Sequence, residues 1–318
     1  AREREEKGEY PWDVVEVFKK YNIYALFIPE EYGGISFSLL NQCIVMEEVS
    51  RVCNNAGAML SFNILGPYPI IYMGSEEQKR KYLPGMASGD ILGSYALTEP
   101  DAGSDAASLR TRAFREGDFY RIEGEKCFIS HFDASKVVIL FARTNPEEKP
   151  SKGISAFIVD KPLGEEAPGF KNVRSLPKMG MKAVHTYSFA IEDLKVPSGN
   201  ILGEEGAGFE IAMKTLDRGR ILCGAQGVGT AQGAFDIAVD FARKREQFGK
   251  PIISFQSILF MLADMRTEIE ASRLLVYKAA RIADEDGPLT IVVHGAEGDR
   301  PRGELRRDTS AFLTWILE

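Results

Sequence analysis

Tyr95-Ala96-Leu97-Thr98-Glu99-Pro100-Asp101-Ala102-Gly103-Ser104-Asp105 reads as a strand that runs into a glycine turn and then a helical start. Tyr95 and Leu97 alternate after the apolar pair Ile91-Leu92, and Pro100 cannot continue a central ladder. Gly103 lets the backbone approach a ligand closely. Ser104 and Asp105 ahead of Ala106-Ala107-Ser108-Leu109 have the form of an N-cap, which would leave backbone N–H groups facing outward toward an anion. The same residues also suit an ordinary strand-turn-helix junction that binds nothing. Either way, the hydrophobic period changes here from that of helices to that of strands.

Upstream, residues 11 to about 90 carry helical spacing. Trp12, Val15, Phe18 and Tyr21 recur on one face, and the loop Pro29-Glu30-Glu31-Tyr32-Gly33-Gly34 closes that unit. Helices are predicted again over Leu39 to Val52, Ala56 to Leu65 and Ser75 to Met86, the last opened by the cap and acidic turn of Ser75-Glu76-Glu77-Gln78. Downstream, Thr111 to Phe114 and Phe119 to Ile122 flank the turn Glu116-Gly117-Asp118 as a hairpin. Lys126 to Ser130, Val137 to Arg143, Gly153 to Val159 and Tyr187 to Ile191 add strands, so the middle of the chain reads as a small β-barrel or sandwich. Helical pattern returns after Pro197-Ser198-Gly199-Asn200. There Gly224, Gly227, Gly229 and Gly233 each cost up to about 1 kcal/mol of helix propensity, which close helix packing would offset. Gly227-Val228-Gly229-Thr230-Ala231-Gln232-Gly233 mimics a dinucleotide fingerprint, but its last spacing is too long and no strand precedes it. Ser257 to Ile282 is amphipathic, with Ile258, Leu262, Met265, Ile269 and Leu275 as its core face.

The 318 residues carry a net charge of −7, which leaves no basic excess for a nucleic-acid partner. No apolar run reaches the length of a membrane span. Cys43, Cys53, Cys127 and Cys223 lack paired spacing and read as reduced, buried thiols of an intracellular protein. The expected location is the cytoplasm, or the mitochondrial matrix in a eukaryote. His131, His185 and His294 are isolated, which suits structural roles better than metal ligation.

Ala96 to Ser108 resembles, position for position, the first signature of the acyl-CoA dehydrogenase family, and Arg245 to Met265 resembles a second family region. The resemblance implies an α+β protein: a helical N-terminal domain (1–91), a middle β-domain (92–203) and an incomplete helical C-terminal domain (204–287). An atypical tail (288–318) follows. It further implies FAD as cofactor and α,β-dehydrogenation of an acyl-CoA thioester, with electrons passed to an electron-transferring flavoprotein. By the same resemblance Tyr95, Ala96, Leu97, Thr98, Gly103 and Ser104 line the flavin, with Ser104 also near the acyl-CoA. Phe128-Ile129-Ser130 stands where the family often has Trp-Ile-Thr, an aromatic over the ring face and a hydroxyl at its edge. Arg245 and Gln256 match residues that reach the FAD of a neighbouring subunit, which implies a homodimer or homotetramer. Arginine suits that role because its planar fork stays charged and grips phosphate bidentately. Asp217, Arg218, Gly219 and Arg220 match the start of the substrate-contacting helix. Taken alone, Asp217 and Arg220 are simply a helical i, i+3 pair.

The family's catalytic base is a glutamate in a Tyr-Glu-Gly-Thr-type string, which this sequence does not contain, and Gly219 occupies the alternative position used by some relatives. No catalytic residue is therefore assigned. The resemblance runs from about Tyr10 to Gly287, and the Gly, Arg and Pro mixture from His294 to Gly303 departs from a helical pattern, as a truncated or frame-shifted product would. An acyl-CoA oxidase, and a silent acyl-CoA or flavin-binding scaffold, are the rival readings.

Overall fold

The computed structural model describes residues 6–285, so the tail expected at 288–318 and His294 lie outside the described residues. The first helices are α1 (Trp12–Lys20), α2 (Leu39–Val52), α3 (Asn54–Asn63), α4 (Pro67–Met73) and α5 (Glu76–Ser88). Strands β1 (Gly93–Ala96), β2 (Arg112–Glu116), β3 (Phe119–Ser130) and β4 (Val137–Arg143) follow. Next come β5 (Ile154–Asp160), β6 (Phe170–Ser175), β7 (Thr186–Pro197) and β8 (Ile201–Leu202). Helix α6 (Gly208–Lys244), the hairpin β9 (Glu246–Gln247) and β10 (Lys250–Pro251), and helix α7 (Gln256–Asp284) complete the order. The described chain divides into two compact units, 6–36 with 62–216, and 37–61 with 217–285.

The first unit is built on one eight-stranded sheet in the order β6-β7-β3-β2-β4-β5-β8, with β1 paired to β4. Strand β4 shows why it forms. Val137, Ile139 and Phe141 join a core with Ile70, Tyr82, Leu83 and Met86 of α4 and α5. Val138, Leu140 and Ala142 point the other way into a core made by the strands themselves, with Tyr120, Ile122, Tyr187 and Phe189. A strand covered on both faces reads as a continuous apolar run, which is how β4 stands out in the sequence. The predicted pieces Phe119–Ile122 and Lys126–Ser130 are one strand, β3, with Gly124 at a point where a Cβ would lie 2.5 Å from Thr111 Oγ1. Strand β6 had no clear alternation to announce it.

Helix α5 opens with the predicted capping box, Gln78 N donating to Ser75 Oγ at 3.2 Å and Ser75 N to Gln78 Oε1 at 2.8 Å. The Gln78 amide also donates to Gly199 O and Ile201 O, which ties the helix to the sheet's end. In α1 the buried face holds Val15 and Phe18 only, and Trp12 and Tyr21 are exposed at its ends. The segment before α1 is fastened by His185, whose ring nitrogens face Asp133 Oδ2 at 2.6 Å and Gly8 O at 2.7 Å. Both neighbours are acceptors, so the imidazolium satisfies them together. The Asp133 hydrogen bond raises its pKa above the ordinary 6.5, against partial burial and the charge of Lys178. Tyr187 and Glu165 border the same cluster, and buried His131 beside it is held neutral, its pKa pushed down to about 4 by desolvation.

The His185 contribution is complete below its unfolded pKa and is lost as pH rises through the higher folded value. Trp12 packs on Tyr10 with ring centroids 4.9 Å apart, so its fluorescence reports this fastening. The Trp12 contribution to the emission is expected to shift to the red as pH rises through the folded pKa of His185. In His185→Gln it should keep one position across that range.

In the second unit α6 packs on α2 at its glycines: a Cβ at Gly229 would lie 2.1 Å from Glu47 O, and one at Gly233 would lie 2.2 Å from Arg51 O. The apparent dinucleotide fingerprint thus lies within a helix and serves close packing. Arg273 Nε donates to Glu47 Oε1 at 2.7 Å and Tyr277 Oη to Glu47 Oε2 at 2.8 Å, which satisfies that buried carboxylate. Helix α7 buries Leu262, Ile269 and Val276 at seven-residue spacing, then Ala279, Ala280 and Ala283 in its last turns, and this phase leaves Leu275 exposed where a core position was expected. Cys223 is likewise exposed, not buried. Among the described residues no helix is long and apolar enough to cross a membrane.

Candidate cofactor and substrate site

Within the first unit, β1 carries Tyr95 and Ala96 to the reversal Glu99-Pro100-Asp101-Ala102, closed by reciprocal hydrogen bonds of 3.1 Å between Glu99 and Ala102. Ala96 and Leu97 have their side chains in the core, so they can offer a ligand only main chain, whereas Thr98 is half-buried. The Tyr95 ring packs on Phe141, and its buried hydroxyl has no hydrogen-bond partner among the described residues. The helix start expected at Ser104 and Asp105 is a single 3-10 turn, Ala106–Ser108, with no side-chain cap. The Asp105 carboxylate accepts from the Ser108 hydroxyl instead, so no helix N-terminus is available there for an anion. Gly103 and Ser104 are exposed, and a Cβ on Gly103 would meet nothing within 4 Å.

Opposite this turn, β3 changes face. Tyr120, Ile122 and Lys126 point inward, and then one extra residue enters between the pairs Lys126↔Phe189 and Ile129↔Tyr187. This bulge puts Phe128 in the left-handed region at φ 57° and leaves it 68 % exposed, while Ile129 returns to the core. A bulky residue at positive φ is uncommon, and bulges of this kind re-aim side chains at sites. Ser130 follows, half-buried, with its carbonyl accepting from Ser94 Oγ at 2.7 Å. Cys127 N donates to Thr98 O at 3.0 Å, and Lys126 Nζ to Leu97 O at 2.9 Å. The fold therefore joins the stretches 95–104 and 128–130.

Lys126 and Glu99 were not among the candidates. The signal for Lys126 was its parity, since it falls on the inward side of a strand whose other inward residues are apolar. The pair is 2.8 Å apart, with Lys126 0 % and Glu99 6 % exposed. Burial alone would raise the Glu99 pKa, but the Lys126 charge and the N–H groups of Thr111 and Arg110 hold it below the usual carboxylate range.

The second unit holds the remaining candidates. Asp217, Arg218, Gly219 and Arg220 lie on α6, with Arg220 Nη1 3.3 Å from Asp217 Oδ1. Arg245 follows the end of α6, and its carbonyl accepts from Ile252 N at 2.8 Å beneath the hairpin. Phe248 and Gly249 turn that hairpin with φ 54° and 74°, as a two-residue turn of the mirror-image type requires. The Phe248 ring is 92 % exposed at its tip. Exposed Gln256 begins α7 just after the hairpin, so Arg245 and Gln256 belong to one hairpin-helix junction.

Three family models match the chain: the acyl-CoA dehydrogenase N-terminal domain over 1–90, the middle domain over 94–194 and the C-terminal domain over 206–297. Over 297 residues the chain is 43% identical to cyclohex-1-ene-1-carbonyl-CoA dehydrogenase of Geobacter metallireducens, covering 93% of this chain and 77% of that protein. It is 43% identical to an acyl-CoA dehydrogenase of Bacillus subtilis over 277 residues, 87% of this chain and 72% of the relative. Butyryl-CoA dehydrogenase from Megasphaera elsdenii superposes with a TM-score of 0.87 at 38% identity, over 93% of this chain and 78% of that one. A chain solved in a study of the electron-transferring flavoprotein of Acidaminococcus fermentans gives 0.89 at 37% identity, over 99% of this chain and 78% of that one. With its helical, β and helical regions in this order, the chain belongs to the acyl-CoA dehydrogenase family of FAD-dependent oxidoreductases.

Proposed function

We propose that this chain, as a homodimer or homotetramer, converts acyl-CoA thioesters to 2-enoyl-CoA and passes the electrons to an electron-transferring flavoprotein. The observation that carries this reading is the Phe128 bulge, a strand distorted so that an aromatic ring stands 68 % exposed next to the Thr98 turn. The residues present fit a flavin: an outward aromatic for a ring face, the Thr98 and Ser130 hydroxyls for a ring edge, and open space over Gly103. FAD, when bound, supplies the acceptor for the β-hydride.

The chain's own residues bind and orient. Tyr95, Ala96, Leu97 and Ile129 contribute position and main chain, and the Phe128 ring excludes water from the face it covers. Ser104 stands for both the cofactor phosphate and the acyl-CoA. Arg245 and Gln256 hold the diphosphate and adenosine end of the FAD of a neighbouring subunit. Asp217, Arg218, Gly219 and Arg220 border the thioester and pantetheine. Gly219 has no side chain to accept the α-proton, so that step requires a carboxylate from another position. The likeness to a butyryl-CoA dehydrogenase makes short acyl chains the first to try.

Anaerobic addition of butyryl-CoA or octanoyl-CoA to the FAD-loaded chain tests the reading. Bleaching of the long-wavelength flavin band is the expected result, followed by reduction of an added electron-transferring flavoprotein. Binding without bleaching would overturn it in favour of a scaffold. Hydrogen peroxide release in air at the rate of turnover would turn it into an oxidase.

A further inference from the structure

Two stretches far apart in sequence make the first half of this site, and Lys126 joins them. Its Nζ donates to Leu97 O at 2.9 Å and to Glu99 Oε1 at 2.8 Å, and the next residue, Cys127, donates N–H to Thr98 O at 3.0 Å. Lys126 thus holds Leu97 and Glu99 while its neighbour Cys127 holds Thr98, just before the bulge that turns Phe128 outward. Glu99 is fixed in turn by Arg110 N at 2.5 Å and Thr111 N at 3.0 Å.

Stability does not by itself call for such a pair. Removing two charges from water offsets much of their attraction, and well-packed apolar residues of similar volume usually hold a core as well or better. What apolar residues cannot do is name one register. The extra residue in β3 could move along the strand and relieve the positive φ at Phe128, and a one-residue slip would exchange its inward and outward faces. A lysine that must reach Leu97 O and Glu99 from the inward side forbids that slip.

We propose that Lys126 is a positioning residue: its contacts to Leu97 and Glu99 fix the bulge that presents Phe128 and Ser130 beside the Thr98 turn, where the flavin is held. This rests on the flavin reading above. Burial lowers the Lys126 pKa to about 8 even with Glu99 beside it to raise it, so the ammonium persists at neutral pH.

Two variants of the full chain, Lys126→Met and Lys126→Met/Glu99→Gln, test this by thermal midpoint without FAD, FAD affinity from flavin fluorescence, and visible circular dichroism of the bound flavin. Lys126→Met leaves a lone buried carboxylate and is expected to lose both thermal stability and affinity. The double variant has no lone charge and should regain the thermal midpoint, yet still bind FAD about tenfold more weakly, with altered dichroism, because Leu97 O remains unheld. A double variant with wild-type affinity and dichroism would overturn the proposal. One that fails to fold would make the role structural and overturn it equally. If the wild-type chain binds no FAD, the flavin reading itself has failed.

Discussion

Gly229→Ala is expected to destabilise the second unit by about 3 kcal/mol, although alanine is the better helix former by about 1 kcal/mol. The added carbon would lie 2.1 Å from Glu47 O and 2.9 Å from Glu47 C, and backbone atoms cannot rotate aside. Helices α2 and α6 would have to part, loosening the next contact, where a Cβ at Gly233 would lie 2.2 Å from Arg51 O. Parting them would also disturb the hydrogen bonds from Arg273 and Tyr277 to buried Glu47. Gly224→Ala supplies the contrast, because its Cβ would meet only the Val276 side chain at 2.9 Å. Urea titration should show a lower midpoint for Gly229→Ala and a smaller change for Gly224→Ala. If Gly229→Ala followed helix propensity and gained stability, the close approach could not be what holds this pair together.

Arg245→Ala should weaken FAD binding by roughly ten- to a hundredfold, the range for losing charge-assisted hydrogen bonds to a phosphate. Arg245 lies on an exposed junction between α6 and the hairpin and takes no part in a core, so its loss should leave the thermal midpoint of the apo chain unchanged. Arg245→Lys keeps the charge but not the planar fork, so it belongs between the two. Because the proposed contact crosses between subunits, dilution should weaken FAD binding in the wild type and have less effect on the alanine variant. Equal affinities at all three residues, measured by isothermal titration, would remove Arg245 from the site.

Much of the fold was legible because burial writes itself into periodicity. Strand β4 was readable from its unbroken apolar run, and α5 from its cap. Local pattern failed where the backbone departs from a regular element. Ser104 and Asp105 have the chemistry of a helix cap, but the following residues make only one 3-10 turn, and sequence alone does not distinguish a turn from a helix that continues. Strand β3 reads as two pieces because Gly124 interrupts its alternation, where the register against β7 shifts between Ile122 and Gly124. Leu275 looked like core because apolar residues crowd that part of α7, and only the seven-residue phase of Leu262, Ile269 and Val276 decides which of them faces inward. Among the candidate residues, family likeness named Thr98, Phe128, Ser130 and Arg245, whereas Lys126 required reading strand parity against residue type.

The left-handed backbone at Phe128 costs on the order of 1 kcal/mol that glycine would not incur. Folding and the proposed flavin contact therefore make opposite demands on a single codon. A library sorted for heat resistance alone would drift there toward the smallest, achiral choice, and its survivors would refold well while having discarded the proposed aromatic shield. At this position, robustness of the apoprotein is a misleading guide to fitness.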